Sequence, residues 1–235
     1  MTVLGDVVAR ERRSDAVAVR TDSRARSYSY GTFCTQSWKA GNLLRHYGVR
    51  GGATVAVDAG QSLSPPPLVT LFGAALLGAR VAFDPAESVD AGALVVPTAR
   101  VDTYDPPPGT RVLAYGEDPD DPEVSGFERE VWSENPTIPP DAVAPDAVAL
   151  VADGTSFSHE RLLAATERVV DEAGLDAQTV VAPRAPLADP GVVVAGLVAP
   201  LSVGGTVLID EAATGDVGVG TDVPEPRAVS PAAVL

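Results

Sequence analysis

The sequence predicts an α/β fold with a largely parallel, doubly covered sheet. Short apolar runs typical of strands alternate along the chain with longer segments of helical periodicity. The predicted strands are mostly continuous runs of Val, Ala and Leu, as expected for strands buried on both faces. With 235 residues, 45% of them apolar, the chain is also large enough to bury a core.

The first hundred residues begin with a predicted short amphipathic helix over residues 3–12, where apolar side chains recur at helical spacing. Strands at Ala16–Val19 and Ser27–Tyr30, with a turn at Ser23–Ala25, are consistent with a hairpin. Thr32 is placed to cap a helix that runs to Tyr47. A strand, a helix and two more strands are predicted at Ala53–Val57, Leu68–Leu77, Val81–Asp84 and Ala93–Val96.

Two later segments have a different composition. Residues 101–145 are acidic and rich in proline, which predicts a long surface excursion that Trp132 alone helps to order. Residues 211–235 are rich in Gly, Asp and Pro and are predicted to be a loop-like tail. The organisation predicted is therefore one α/β domain over residues 1–210, followed by this tail. Between the two segments, strands and helices alternate at Ala147–Ala152, Glu160–Ala173, Val180–Ala182, Val192–Leu201 and Thr206–Ile209.

The charge composition excludes a nucleic-acid partner. The chain has 32 acidic and 17 basic residues, a net charge of −15, and no basic patch to neutralise phosphates. Lys39 is its single lysine, and the acidic residues are scattered, which resembles the proteins of extreme halophiles. In 1 M salt the Debye length is only about 3 Å, so that self-repulsion is screened. The alternative is an ordinary acidic protein.

The sequence also excludes a disulfide-linked fold, a Cys/His zinc module and a membrane-spanning helix. One cysteine, Cys34, excludes a disulfide framework and is expected to be a buried thiol, and two histidines exclude a Cys/His zinc module. The uncharged stretch Pro190–Ile209 contains Pro200 and the Gly204–Gly205 pair, which would interrupt a membrane helix. It is predicted to form a buried helix, a turn and a buried strand. No signal-peptide pattern opens the sequence, so a soluble cytoplasmic protein is expected.

Four segments resemble a known family in their order and spacing. Residues 28–33 read Tyr-Ser-Tyr-Gly-Thr-Phe before a helix, and residues 48–57 lead through Gly-Val-Arg-Gly-Gly into a strand. A helix ends in Leu-Leu-Gly-Ala at 76–79, and residues 199–208 read Ala-Pro-Leu-Ser-Val-Gly-Gly-Thr-Val-Leu. Together they resemble the N-terminal part of the AMP-forming acyl-CoA synthetases, of the adenylate-forming superfamily. The resemblance implies the fold of that domain.

In that family a strand leads into a loop of Ser, Thr and Gly that ends in Pro-Lys and cradles the phosphates of ATP. Here the corresponding strand is followed by Asp153-Gly154, a strong signal for a two-residue hairpin turn, so the loop is interpreted as deleted. Thr155, Ser156 and Ser158 are candidate cofactor-binding residues, as a remnant of the phosphate loop. The alternative is that they are ordinary strand and helix-cap residues, with His159 half-exposed at the helix start.

Other family features are missing from the sequence. Ala188-Asp189 stand where the family often has an aromatic residue and a histidine near the acyl site. The family's ribose-binding aspartate and its C-terminal domain with the catalytic lysine lie beyond the part that the resemblance covers. No residue is therefore assigned a catalytic or metal-binding role, and no cofactor is expected; ATP with magnesium, or CoA, would be needed only by an enzyme.

The leading hypothesis is a degenerate acyl-CoA synthetase-like protein, a pseudoenzyme that acts as a binding or partner protein, for example of an active acyl-CoA synthetase. A second hypothesis is a component of an AMP-forming acid–CoA ligase that another chain completes. A third is a simple interaction domain, which would bind neither ATP, AMP, CoA nor acyl ligands.

Overall fold

A computed structural model describes residues 1–22 and 27–235, so the turn predicted at Ser23–Ala25 lies outside the described residues. Within these ranges the strands form two sheets in which most neighbours are parallel. The predicted α/β class is confirmed, with two sheets in place of one. The strands are β1 (Val17–Arg20), β2 (Tyr28–Ser29), β3 (Thr54–Val57), β4 (Arg80–Phe83), β5 (Ala93–Pro97), β6 (Arg111–Tyr115), β7 (Ser125–Gly126), β8 (Val148–Ala152), β9 (Thr155–Ser158), β10 (Val180–Pro183), β11 (Thr206–Leu208), β12 (Val217–Val219) and β13 (Arg227–Val229).

Sheet A joins the two ends of the chain. Its six strands lie in the order β13-β12-β10-β11-β1-β2. Val19 of β1 pairs with Val207 of β11 in parallel, and β2 adds to β1 antiparallel as the predicted hairpin. Sheet B is built from the middle of the chain, in the order β7-β6-β5-β3-β4-β8-β9. Its one antiparallel pair is β8 with β9, at an edge.

The helices cover the sheets. They are α1 (Tyr30–His46), α2 (Pro65–Ala75), α3 (Phe127–Ser133), α4 (His159–Ala173), α5 (Pro190–Val192) and α6 (Ala199–Val203). Helices α1 and α2 pack closely, since a Cβ on Gly73 would lie 2.7 Å from the backbone nitrogen of Gly41. The rings of Phe33 and Phe72 meet edge to face at 5.5 Å in the same interface. This interface belongs to the main hydrophobic core, which also includes strands of both sheets.

Several predicted boundaries need correction. Residues 3–12 form two 3₁₀ helices, Leu4–Val8 and Arg10–Arg12, rather than one amphipathic helix. Helix α1 begins earlier than predicted, because the side chain of Ser29 caps it by accepting a hydrogen bond from the backbone of Thr32. The predicted cap residue therefore lies inside the first turn.

The prediction of a loop-like tail over residues 211–235 is wrong. Strands β12 and β13 lie within it and extend sheet A beyond β10. Val217 and Val219 are fully or almost fully buried, and β12 pairs in parallel with both β10 and β13. Three-residue strands rich in glycine carry little local signal, so the pairing with β10 decides their structure.

The predicted excursion over residues 101–145 is also partly wrong. Strands β6 and β7 and helix α3 lie in it, and β6 pairs with β5 along its whole length. Its side chains Leu113 and Phe127 are buried, whereas Trp132, the predicted source of order, is 79% exposed. Buried strand residues thus anchor the segment to sheet B.

The uncharged stretch 190–209 folds as predicted, into a buried helix, a turn and a strand. Helix α5, a π-helical segment Val193–Val198 and helix α6 follow one another without a break. Gly204, with φ +85°, ends the helix before β11. No helix in the described ranges is both long and apolar enough to span a bilayer.

Candidate functional site

A cleft lies at the edge where the carboxyl ends of strands from both sheets meet. In sheet B, β3 has β4 on one side and β5 on the other, so the chain reverses its direction across the sheet at β3. Ligands of open α/β sheets bind outside the carboxyl ends of strands at such a point. A cavity of about 650 Å³ lies there, and its lining includes residues that follow β3, β4, β5 and β10.

Asp58 follows β3 and organises one wall of this cavity. It is 2% exposed and accepts hydrogen bonds from the Nε of Arg100 at 2.6 Å and from the hydroxyl of Tyr104 at 2.7 Å. The backbone N–H of Gly60 donates to its other carboxylate oxygen at 2.8 Å. Burial, with the hydrogen bond to Asp58, raises the pKa of Tyr104 to about 12. Tyr104 therefore stays a hydrogen-bond donor at neutral pH.

Asp84 follows β4 in the same wall. Its backbone has φ +46°, an uncommon conformation for a residue with a side chain. The carboxylate accepts a hydrogen bond from the backbone of Ala59 at 3.2 Å. Partial desolvation, with the nearby charge of Asp58, raises the pKa of Asp84. The strained backbone thus holds a second carboxyl group at the cavity.

Arg184 follows β10 and forms the facing wall. Its side chain is 12% exposed and lies 2.5 Å from a carboxylate oxygen of Glu225, whose side chain is fully buried. It also donates to the backbone oxygens of Asp210 and Ala213. Burial alone would raise the pKa of Glu225, but hydrogen bonds from Arg184 and from backbone N–H groups hold it below its usual value. The positive charge of Arg184 is therefore neutralised within the protein.

A second cavity of about 1040 Å³ continues the cleft and shares Leu63 and Glu211 with the first. It reaches the carboxyl ends of β5, β6 and β11 through Pro97, Tyr115 and Ile209. Its walls combine these apolar side chains with several carboxylates. The cleft as a whole therefore offers both apolar and charged side chains to a ligand or segment.

The three predicted phosphate-loop residues lie outside both cavities. The turn between β8 and β9 has φ +48° at Asp153 and +74° at Gly154, as predicted for a two-residue hairpin. Thr155 and Ser156 are exposed strand residues. Ser158 caps α4 by accepting from the backbone of Arg161 at 3.3 Å. None of the three hydroxyl groups lines either cavity of the cleft.

His159, predicted to be half-exposed, is fully buried. Its Nδ1 accepts a hydrogen bond from the backbone N–H of Leu4 at 3.1 Å, which ties the N-terminal segment to α4. Burial lowers the pKa of His159 to about 4. The residue is therefore neutral at pH 7 and acts as a structural acceptor.

Cys34 does not form a reactive site, and the described ranges contain no metal-binding cluster of side chains. Cys34 is buried as predicted, and burial raises the pKa of its thiol to about 11. In the part of the chain that the structure describes, no group of three or more His, Cys, Asp or Glu side chains is arranged to hold a metal ion.

The cleft residues were missed by the sequence analysis, although a signal for them exists. Asp58, Asp84 and Arg184 each come directly after a buried strand. Because carboxyl ends of parallel strands meet at one edge, charged residues at these positions are candidates for a shared site. Arg100 and Glu225 have no such signal, since Arg100 lies in a 3₁₀ helix, Thr98–Thr103, and Glu225 pairs with Arg184 from a segment between β12 and β13.

The whole chain was compared with known proteins. No protein-family model matches it, and no curated protein matches it either. Solved structures do match. An anthranilate CoA ligase, AuaEII, in complex with anthranoyl-AMP has a TM-score of 0.76 and 16% sequence identity; the match covers 93% of this chain and 49% of the ligase.

Two further structures agree with this match. A benzoate CoA ligase from Burkholderia xenovorans has a TM-score of 0.76 at 19% identity, covering 93% of this chain and 50% of the ligase. The N-terminal domain of FACL13 from Mycobacterium tuberculosis also has a TM-score of 0.76, at 14% identity, covering 95% of this chain and 66% of that domain. The chain therefore has the fold of the N-terminal domain of acyl-CoA synthetases, as the resemblance implied, and spans about half the length of the two ligases.

Proposed function

We propose that this chain is a binding or partner protein built on the fold of a CoA-ligase N-terminal domain, and that it does not itself adenylate an acid. The observation that carries the proposal is the two-residue turn at Asp153-Gly154, at the position where the sequence resemblance implies a phosphate loop. A phosphate loop needs several converging N–H groups and a cation. The turn leaves room for neither.

The residues around this turn support the proposal. Arg161 is the one cation between residues 152 and 161, and its guanidinium lies 4.6 Å from the centre of the Phe157 ring. The hydroxyl of Ser158 accepts the capping hydrogen bond of α4. Each hydrogen bond to a charged group contributes roughly 1.5–3 kcal/mol, so a triphosphate would lose much of its binding energy at such a hairpin.

The charges of the cleft support it independently. Arg100 and Arg184 line the first cavity, and each forms an ion pair with a buried carboxylate. Asp84 and Glu211 line the same cavity, so its described side chains carry no net positive charge. In adenylation a carboxylate attacks a phosphoryl group of ATP. The negative charge that develops on this group in the transition state must be stabilised by cations or metal ions. This cleft is better suited to a ligand without a polyphosphate.

The test is thermal unfolding in molar KCl with magnesium-ATP, AMP, CoA or a medium-chain fatty acid, alongside an assay for pyrophosphate release. We expect no stabilisation by magnesium-ATP and no pyrophosphate release. A ligand present at 100 times its dissociation constant adds about 2.7 kcal/mol of stability, so binding of any probe would be visible.

Two variants test whether a ligand detected by this assay binds in the cleft. Arg100→Met should reduce stabilisation by a ligand of the cleft, whereas Arg129→Met, which removes an exposed arginine outside it, should not. Stabilisation by the fatty acid or CoA alone would favour a small-molecule binding protein. Pyrophosphate release dependent on the acid would overturn the proposal.

A ligase component completed by another chain is the second candidate. The observation that favours it is the coverage, since the match takes in 93% of this chain but about half of each CoA ligase. A neighbouring gene that encodes the remaining half would supply the partner to test. Pyrophosphate release by the two chains together, and by neither alone, would favour this candidate; no release from the mixture would exclude it.

A further inference from the structure

We propose that the surface around α3 docks a basic, amphipathic segment of a partner protein. This surface, called here the α3 face, consists of α3 and the acidic segment 117–123 that packs on its first turn. The inference deepens the partner role in the proposed function and rests on it for the existence of a partner. It does not depend on whether the cleft binds a nucleotide.

Trp132 is the first observation. Its side chain is 79% exposed, and it is the one aromatic side chain that the described ranges leave mostly in contact with solvent. Phe127 and Val131 of the same helix are buried. Tryptophan is one of the side chains that most often dominate the binding energy of protein interfaces.

Contacts with α1 hold the backbone that carries Trp132 and touch its ring. Lys39 of α1 donates to its backbone oxygen at 2.6 Å, and the ammonium group lies 5.6 Å from the centre of its ring. Asn42, one turn further along α1, donates to the backbone oxygens of Asn135 and Thr137 at 2.9 and 2.7 Å. A side chain ordered in advance loses less entropy on binding.

A hollow of about 190 Å³ lies beside the tryptophan. Apart from Gln36 and Glu128, its lining consists of apolar and aromatic side chains. It has room for a large apolar side chain of a partner. The lining residues are Tyr28, Gln36, Pro66, Val69, Phe127, Glu128, Val131 and Trp132.

The charge of the surface defines the partner. Between residues 117 and 134 the chain has eight acidic residues and one arginine, a net charge of −7 out of the chain's −15. The arginine, Arg129, lies 3.7 Å from Asp118 and 3.9 Å from Glu130, so carboxylates offset its charge. The acidic segment is held against α3, because Glu128 accepts from the backbone of Gly116 at 3.0 Å.

Such a surface complements positive charge and repels a second copy of this acidic chain. An amphipathic segment could place its apolar side chains in the hollow beside Trp132 and its basic side chains against the surrounding carboxylates. Recognition of an amphipathic helix by an apolar groove is an established binding mode.

The experiment uses the two tryptophans as reporters. Trp38 is 1% exposed and Trp132 is 79% exposed, so quenching by acrylamide reports chiefly on Trp132. The probe is a synthetic amphipathic helix made of leucine and lysine, and its counterpart has glutamate in place of lysine. In about 0.5 M KCl, where repulsion between distant charges is already screened, we expect the lysine peptide to protect Trp132 and the glutamate peptide to leave it quenched.

Matched variants separate docking from general attraction to an acidic protein. Glu128→Gln and Glu167→Gln each remove one exposed carboxylate, the first on the α3 face and the second on α4. With a labelled lysine peptide, we expect Glu128→Gln and Trp132→Ala to weaken binding severalfold and Glu167→Gln to leave it unchanged. Equal weakening by both glutamine variants, or no protection of Trp132, would overturn the inference.

Other outcomes are equally informative. Protection of Trp132 without peptide that grows with protein concentration, together with a dimer in sedimentation, would overturn it in favour of self-association. ATP-dependent pyrophosphate release would remove the proposed function while leaving peptide protection of Trp132 in place. The two failures are therefore distinguishable.

Discussion

At the scale of single residues, two buried polar contacts hold distant parts of the chain together. Arg184 pairs with Glu225, 41 residues later, and His159 accepts a hydrogen bond from Leu4, 155 residues earlier. Glu225 has a fully buried side chain and His159 is fully buried, so water cannot readily replace either contact. Each contact should therefore be costly to break.

Arg184→Met is expected to lower the free energy of unfolding by about 3–5 kcal/mol, because it leaves the Glu225 carboxylate buried without a counter-charge. Urea unfolding at fixed salt measures the change. Arg129→Met is the matched control, since that arginine and its partner Asp118 are 60% and 83% exposed. Removing an exposed pair costs about 0–1 kcal/mol. Similar losses for the two variants would contradict the buried role of Arg184.

His159 should make stability fall as the pH is lowered. Burial puts its pKa at about 4 in the folded protein, below the value near 6.5 of an unfolded chain. The unfolded state therefore binds more protons between these values, so its contribution is complete above pH 6.5 and is lost as the pH falls toward 4. We expect the free energy of unfolding, measured between pH 5 and 7, to rise less steeply with pH in His159→Gln than in the unsubstituted protein.

The control for this pH experiment is the chain's other histidine. His46 is exposed near the end of α1, so His46→Gln is the matched variant that removes a histidine without opening the core. If His159→Gln has the same slope as the unsubstituted protein, the histidine is not buried in its neutral form.

How far such residues can be predicted depends on whether their partners are close in sequence. The positive φ angles at Asp153 and Gly154 were predictable, because a two-residue turn is decided by its own side chains. The burial of His159 was not, because its hydrogen-bond partner comes from the first residues of the chain. The cleft pairs Asp58–Arg100 and Arg184–Glu225 are hidden for the same reason.

At the scale of elements, the chain's single lysine has a specific structural position. Lys39 joins α1 to the end of α3 by donating a hydrogen bond to the backbone oxygen of Trp132. Arg168 of α4 plays a similar part elsewhere, donating to the backbone oxygen of Val234 at 2.7 Å. Lys39 is half-buried and Arg168 is exposed, and each anchors a short segment.

Lys39→Met should accelerate hydrogen exchange over residues 127–137 while costing about 0.5–1.5 kcal/mol of global stability, since one hydrogen bond is lost. Exchange followed by mass spectrometry measures this region directly. Arg168→Met is the reciprocal control and should accelerate exchange near Val234 instead. Unchanged exchange over 127–137 in Lys39→Met would show that α3 does not depend on the lysine.

Elements with strong local patterns were predicted and those with weak patterns were missed. Helix α4 was predicted to within one residue, since it has a clear apolar stripe, a serine cap and Gly174 at its end. Strands β12 and β13 were missed, because a run such as Val217-Gly218-Val219 becomes a strand only through its neighbours in sheet A.

At the scale of the whole molecule, the net charge of −15 should make stability depend on salt. Self-repulsion among the carboxylates weakens as the Debye length falls from about 8 Å at physiological ionic strength to about 3 Å at 1 M. We expect the melting temperature to rise steeply between about 0.1 and 1 M KCl. Sucrose at equal osmolality is the control and should not reproduce the steep part of the rise. A melting temperature independent of KCl would argue against adaptation to high salt.

The order of strands in sheet A has a consequence for how the protein is made. Strand β1 pairs with β2 on one edge, but its other edge pairs with β11 and stays open until residue 207 has been synthesised. Sheet B is complete in the chain by residue 158. Domains generally fold as units during synthesis, and distant pairings form slowly. Sheet B is thus free to assemble on the ribosome first, and any translational pause that lengthens the wait leaves the edge of β1 open to wrong partners.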